Sequence, residues 1–477
     1  MTLPSVAVPE RSNVGAKTKG PSSRLTILAA IVMACAAPLV APMPPMQDEA
    51  EWMWQCAIAA HQLPASRWSW HFTLVPNLGF ILPCAALAHV LPIAWAAKLA
   101  IVLSIIVLSL GMYRLALIAG HGMSALPFAL LLGYFTWMGN MAYLLSLGLA
   151  LFAIAEGERG LSSDKPRPAN LVRTLALSGL AWLAHGIGGL TVLSWALLAV
   201  YEARLRSRPQ AVFGALMAGW ISGLFALSII LAGSSAGVSA KPAYVGTINY
   251  KIASIAAPWF PIVIPLGLSA ETVGMATVLA GVSGVLFVLL FARRTFAARH
   301  DLAGTRLGRF AIAMLVGGAV FPTALGDLVR PDQRLLFVGI LATGLVSGEP
   351  ATSALERLAI PVLVATSAAF FVLGGVELQQ RYRELEKYRG QLLQGPVVFE
   401  QDPPSRATRL QRLEASVEAI PRLAFYWYVD EGGDPLDTFR TTGIKLTSGA
   451  TSAQPPLWKV RLVPSLLVTR CSAGDHR

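Results

Sequence analysis

Charge is what this sequence has least of. Of 477 residues only 13% are Asp, Glu, Lys or Arg, and 55% are hydrophobic. A soluble domain carries about a quarter charged residues. The deficit runs over most of the chain, which argues for a polytopic membrane protein. Cysteine is scarce as well. Cys35, Cys56, Cys84 and Cys471 show no CxxC spacing and no zinc-like pairing. Cys35 falls in an apolar run, and a Cys56–Cys84 bridge is conceivable without other support in the sequence. Also missing are a Walker loop, a nucleophile elbow and an HExxH motif. No repeat recurs at a fixed period, and no two-half symmetry of broken helices suggests a secondary transporter. The first apolar run has no small-residue cleavage site before Pro42, so it reads as a membrane helix rather than a cleaved leader.

The charge that is present is mostly positive, +12 net. It sits in short loops between apolar segments: Arg159, Lys165, Arg167 and Arg173; Arg204, Arg206 and Arg208; five arginines between 293 and 309. That placement is the positive-inside bias of membrane proteins and needs no nucleic-acid partner. It puts residues 1–24 and these loops in the cytoplasm.

A crossing needs about 20 mostly apolar residues. Candidate segments are 25–42, 78–91, 93–112, 124–138, 140–156, 171–187, 189–202, 211–232, 271–292, 310–327, 334–348 and 358–376. Residues 24 and 156 must lie on the same side, so an even number of crossings separates them. The segment 78–91, cut by Pro83 and bounded by Pro76 and Pro92, reads as re-entrant or interfacial. Alternatively, the WMGN pair of segments makes one broken crossing. About eleven spans over 25–376 follow, an all-α membrane bundle. From Glu377 the composition changes abruptly. A charged helical run, ELQQRYRELEKYRGQLL, is followed by the strand-like pieces VVF, FYWYV and LWKVRLV. Residues 377–477 therefore read as a small soluble α/β domain on the outer side.

The outer loop 43–77 is the most informative stretch. It gathers Asp48, Glu49 and Glu51 with Trp52, Trp54, Trp68, Trp70, His61 and His71. As a helix over Met46–Ala60, Asp48, Glu51, Trp52 and Gln55 share one face and Met53, Cys56, Ala57 and Ala60 another. This describes an interfacial helix, apolar side down and carboxylates toward water. Two readings of Asp48 coexist: catalytic carboxylate, or N-cap of a capping box closed by Glu51. Asn77 suits a helix cap, and His185 in LAHGIGG suits a structural histidine, though both can contact substrate. In FPTALGDLVRPDQR, Arg330 and Arg334 on the outer side run against the positive-inside bias. A phosphate clamp explains them, and so does pairing with Asp327 and Asp332. Lys241, Tyr244, Tyr250 and Lys251 are weaker candidates for the same anion.

QDEAEW, VPNLG, the Gly139–Asn140 break, LAHG at Leu183–Gly186 and the arginine of PDQR together resemble the integral membrane glycosyltransferases of the GT-C superfamily. Protein mannosyltransferases and aminoarabinose transferases are members. The pattern is also similar to a group of uncharacterised bacterial membrane proteins. The resemblance covers about residues 25–376. It implies transfer of a sugar from a polyprenyl-phosphate donor, entering from the membrane lipid, to a glycan, lipid or protein acceptor at the outer face of the inner (cytoplasmic) membrane. It also implies Asp48 at the active site, as base or as ligand to a divalent metal, with Glu49 and Glu51 beside it. His71, Asn77, His185, Arg330 and Arg334 would bind substrate. Trp52 stands where many members carry a second acid, His or Arg. The rival reading is a non-catalytic transporter, flippase or assembly factor for an envelope polysaccharide.

Overall fold

The computed structural model describes residues 21–62, 68–71, 76–120, 124–162, 167–203, 208–233, 248–266, 269–325, 328–347 and 354–387, and five further short strands. Helices dominate. In chain order they are α1 (Pro21–Val40), α2 (Glu49–Ala59), α3 (Ile81–Ala88), α4 (Ile93–Ala119), α5 (Tyr134–Trp137), α6 (Met141–Leu161), α7 (Pro168–Ala184) and α8 (Gly186–Ala203). There follow α9 (Arg208–Gly233), α10 (Ile248–Ala256), α11 (Ala270–Ala297), α12 (Arg299–Gly304), α13 (Arg306–Val320), α14 (Pro331–Val346) and α15 (Ala354–Glu386). Among the described residues six helices are long and apolar enough to cross a membrane: α4, α6, α8, α9, α11 and α15. The chain is a helical multi-pass membrane protein. The remaining expected crossings fall on shorter helices, 17 residues in α7, 15 in α13 and 16 in α14. The segment 78–91 yields only the eight-residue α3, about 12 Å long.

Residues 124–138 depart from expectation. Instead of a continuous helix they form a 3₁₀ helix at Leu126–Leu130 and the single turn α5. Their course follows from their neighbours. Gly111 of α4 packs on Gly148 of α6, and further along both helices Arg114 Nη2 meets Glu156 Oε1 at 2.7 Å. The two helices therefore run side by side in one direction, and residues 124–140 return between their ends. Irregular backbone at that depth survives only inside protein, and every residue from Ala125 to Phe135 is buried.

The bundle has two chemically different ends. At one, Arg306 pairs with Glu202 at 3.0 Å and Glu158 at 3.4 Å, and Arg309 reaches Glu202 at 2.7 Å. The indole of Trp195 donates to Glu158 at 2.7 Å, and Arg294 pairs with Glu356. These ion pairs, the Arg294–Glu356 pair fully buried, clamp the ends of α6, α8, α11, α13 and α15. At the other end lie α2, α3 and the starts of α4, α6, α8 and α14.

The boundary expected at residue 377 falls inside α15. Glu377 belongs to the packing of the bundle: its carboxylate accepts from the backbone N–H and hydroxyl of Ser269 at 2.9 and 3.1 Å, and from Thr272, closing the start of α11. The strands are β1 (Trp68–His71), β2 (Ile264–Leu266), β3 (Ala324–Leu325), β4 (Leu328–Val329), β5 (Val397–Glu400), β6 (Ser416–Glu418), β7 (Lys445–Ser448), β8 (Trp458–Arg461) and β9 (Leu467–Arg470). β5, β8 and β9 form a sheet among themselves. β7 instead pairs antiparallel with β1, and β6 parallel with β2. The tail thus shares strands with loops of the bundle. FYWYV lies outside the described residues, as do residues 1–20.

Candidate functional site

The helix expected over Met46–Ala60 is present as α2, but its surroundings are not those of a surface helix. Asp48 is 8% exposed, and Glu49, Glu51 and Gln55 are each 1% exposed. The carboxylate face expected to meet water is inside the protein. Amphipathic spacing shows which residues share a face; it says nothing of what covers that face. The capping box is also absent. Asp48 is the N-cap by position without a side-chain cap bond, and Glu51 accepts from Gln55 Nε2 at 3.4 Å instead. A disulfide joins Cys56 of α2 to Cys84 of α3, their Cα atoms 6.0 Å apart, and fixes α2 to the start of the bundle.

Asp48 faces the WMGN turn. Gln47 donates its backbone N–H to the carbonyl of Trp137 at 2.8 Å. Gly139, at φ +79°, comes so close that a Cβ there would lie 2.9 Å from Asp48 N and 3.1 Å from Asp48 Cβ. Gly139→Ala is therefore expected to displace α2 as well as force a left-handed backbone costing about 1–2 kcal/mol. A lowered melting temperature would show it; a wild-type melting temperature would refute the contact.

Next to this turn, Asn140 Oδ1 accepts from Arg334 Nη2 at 3.2 Å. The Arg334 guanidinium lies 5.8 Å from the ring centroid of Tyr143, whose hydroxyl donates to the Arg334 carbonyl at 2.7 Å. Asp48 and Arg334 are close enough for their charges to attract. Arg330 donates to the Tyr134 hydroxyl. It holds φ at +54° immediately before Pro331, a conformation that non-glycine residues rarely adopt. Its backbone N–H donates to Thr323 at 2.8 Å, so the turn is fixed by the β3–β4 hairpin. The expected pairing of the arginines with Asp332 is not what forms. Asp332 Oδ2 accepts from Lys251 at 2.8 Å and Ser254 at 2.7 Å, which also takes Lys251 away from an anion-binding role. Asp327, Lys241 and Tyr244 lie outside the described residues.

His185 is buried against Tyr143, ring centroids 5.7 Å apart. Its Nδ1 accepts from Ile187 N at 3.1 Å, so a neutral ring carries its proton on Nε2. Asn77 does not cap a helix, since α3 begins at Ile81. Instead the backbone N–H groups of Asn77, Leu78 and Gly79 donate to the carbonyls of Leu183 and Ala184 at 3.1–3.2 Å, satisfying the open end of α7. A Cβ on Gly79 would approach Ala184 Cβ to 2.8 Å. VPNLG and LAHG thus meet. His71 sits in β1 opposite Lys445; its side chain lies outside the described residues.

Asp48, Asn140, Tyr143, His185, Arg330 and Arg334 thus converge from four distant parts of the chain. Glu49 points elsewhere, toward Lys98. Tyr134 and Tyr143 were missed in the sequence. Their place beside the Gly139–Asn140 break was the available signal. Among the described residues no three His, Cys, Asp or Glu side chains meet to hold a metal. Comparison with protein-family models, curated proteins and solved structures finds no match.

Proposed function

We propose that this protein is a membrane glycosyltransferase that moves a sugar from a polyprenyl-phosphate donor to an envelope acceptor at the outer face of the cytoplasmic membrane. The observation that carries the reading is a buried carboxylate, Asp48, packed on the Gly139–Asn140 turn whose Asn140 accepts from Arg334, at the end of the bundle away from the arginine-rich loops. The arginine-rich end belongs in the cytoplasm by the positive-inside bias. The Cys56–Cys84 bridge lies at the opposite end, and disulfides persist in oxidising compartments. With α1, α7, α13, α14 and the broken return 124–138 added to the six long helices, about eleven crossings result.

In this reading Asp48 takes the proton of the acceptor hydroxyl as its oxygen forms the new glycosidic bond. The bond from the sugar's anomeric carbon to the phosphate oxygen breaks, and the electron pair leaves with the polyprenyl phosphate. Arg334 and Arg330 meet the charge that grows on that phosphate. One carboxylate suffices for inversion. The donor reaches the site laterally from the bilayer, which suits a chain with no Gly-rich phosphate loop.

Asp48→Asn tests this in cells that lack the native gene. The glycan product is expected to disappear while the protein accumulates normally in the membrane, because asparagine keeps the shape and loses the base. An unchanged glycan profile would remove Asp48 from catalysis and favour the non-catalytic reading.

A further inference from the structure

Beside α2, lined by Glu49 and Met53 and not by Asp48, lies a cleft of about 250 Å³ that the transfer mechanism does not use. Three helices build it. Glu49 and Met53 stand one turn apart on α2, and Ala94 and Lys98 one turn apart on α4. Gln379, Tyr382, Arg383 and Glu386 fall at i, i+3, i+4 and i+7 on α15, a single face of that helix. The ELQQRYRELE run therefore supplies a wall of this cleft.

Its chemistry is balanced. Two cations, Lys98 and Arg383, stand with two carboxylates, Glu49 and Glu386, over apolar walls that include Met43, Met53 and Ile93. Lys98 is 8% exposed and Glu49 1% exposed; ionisable groups buried at such a depth mark function by default. Lys98 lies five residues into α4, about 8 Å from its start. Its ammonium sits 5.0 Å from the ring of Trp95, which is 49% exposed. Tryptophan in that setting marks the boundary between lipid and water. A lone anion would face two carboxylates here, and a lone amine two cations. A ligand that carries both charges complements both pairs of groups, and apolar walls beside them suit the start of an acyl chain.

We propose that this cleft binds the head group of a zwitterionic phospholipid, its phosphate on Lys98 and Arg383 and its primary ammonium on Glu49 and Glu386. The site is separate from the Asp48 cluster, and its measurement needs no turnover, so it stands or falls apart from the transferase reading.

Native mass spectrometry of the full chain, delipidated in detergent, makes the test. Phosphatidylethanolamine, phosphatidylglycerol and phosphatidylcholine are added at equal concentration, with inorganic phosphate and glycerophosphoethanolamine as competitors. Phosphatidylethanolamine is expected to be retained about tenfold more than phosphatidylglycerol, a difference of about 1.4 kcal/mol. Lys98→Gln should abolish most of that retention. Glu386→Gln, at an exposed position, should erase the preference for ethanolamine over glycerol while keeping lipid bound. If Lys98→Gln elutes as aggregate, Arg383→Gln, also exposed, takes its place. Equal retention of all three lipids by the wild type, or variants indistinguishable from it, would overturn the proposal. Displacement by inorganic phosphate as effective as by glycerophosphoethanolamine would reassign the cleft to free phosphate and equally overturn it.

Discussion

Under the proposed transferase function, Arg334→Lys is expected to slow sugar transfer by roughly 10²–10³-fold, the usual cost of removing one donor aimed at developing charge. The geometry explains why so mild a change should matter. Arg334 uses one guanidinium nitrogen on Asn140 at 3.2 Å and lies over the ring of Tyr143, which grips the Arg334 carbonyl at 2.7 Å. A planar fork can hold Asn140 and still present another N–H to a phosphate; an ammonium on a flexible stem cannot do both in a fixed geometry. Lysine retains the positive charge opposite Asp48 and so spares the fold. Arg334→Ala would bury Asp48 without that attraction and confuse catalysis with stability. The measurement is the initial rate of transfer from a polyprenyl-phosphate sugar by purified protein, corrected for the folded fraction. A wild-type rate would take the phosphate clamp away from Arg334.

The second large effect concerns stability. Cys56→Ala with Cys84→Ala is expected to destabilise the protein by about 3–4 kcal/mol, from the loop entropy of a bridge closing 28 residues. Both sulfurs are fully buried, so the alanines also leave small voids, but no charge is exposed. The loss should appear as a lower melting temperature in detergent. The wild type should fall to the same value when unfolded and refolded under reductant, whereas the double variant should ignore reductant. A double variant as stable as the wild type would show that α2 is held by packing alone. Because α2 carries Asp48 at its start, the proposed transfer should also fall more steeply with temperature in the double variant.

Much of the framework was legible in the sequence because hydrocarbon imposes long apolar runs. The helices α4, α6, α8, α9, α11 and α15 follow from that constraint, and the position of α2 follows from its spacing. What could not be read was burial of polar faces. Asp48, Glu51 and Gln55 share a helix face whether water or protein covers it. Asp48 followed by Glu51 matches a capping box in sequence, yet Glu51 turns to Gln55. Asp332 looked like a partner for the arginines two positions to either side of it, whereas the residue that claims it, Lys251, is 81 positions away. Residues 124–138 are apolar enough to suggest a helix, since composition does not reveal a return path imposed by parallel neighbours. The residues of the candidate site were visible one by one; their assembly was not. Only the fold brings the Gly139 turn against Asp48.

That buried return has a consequence for how the protein is made. Residues 125–135 lack a continuous helix to satisfy their own backbone, and the walls around their 3₁₀ helix, Leu126–Leu130, are α1, α11, α14 and α15. Three of those four are synthesised more than a hundred residues later. During biosynthesis the segment cannot settle as a finished crossing when it leaves the ribosome. It must wait, flanked by α4 and α6, until the last third of the chain arrives to enclose it. Tyr134 and Asn140 meet Arg330 and Arg334 only at that moment. Maturation of the site is thus the final event of assembly, and a chain released before α14 would already hold its longest early helices yet lack the chamber they are meant to frame.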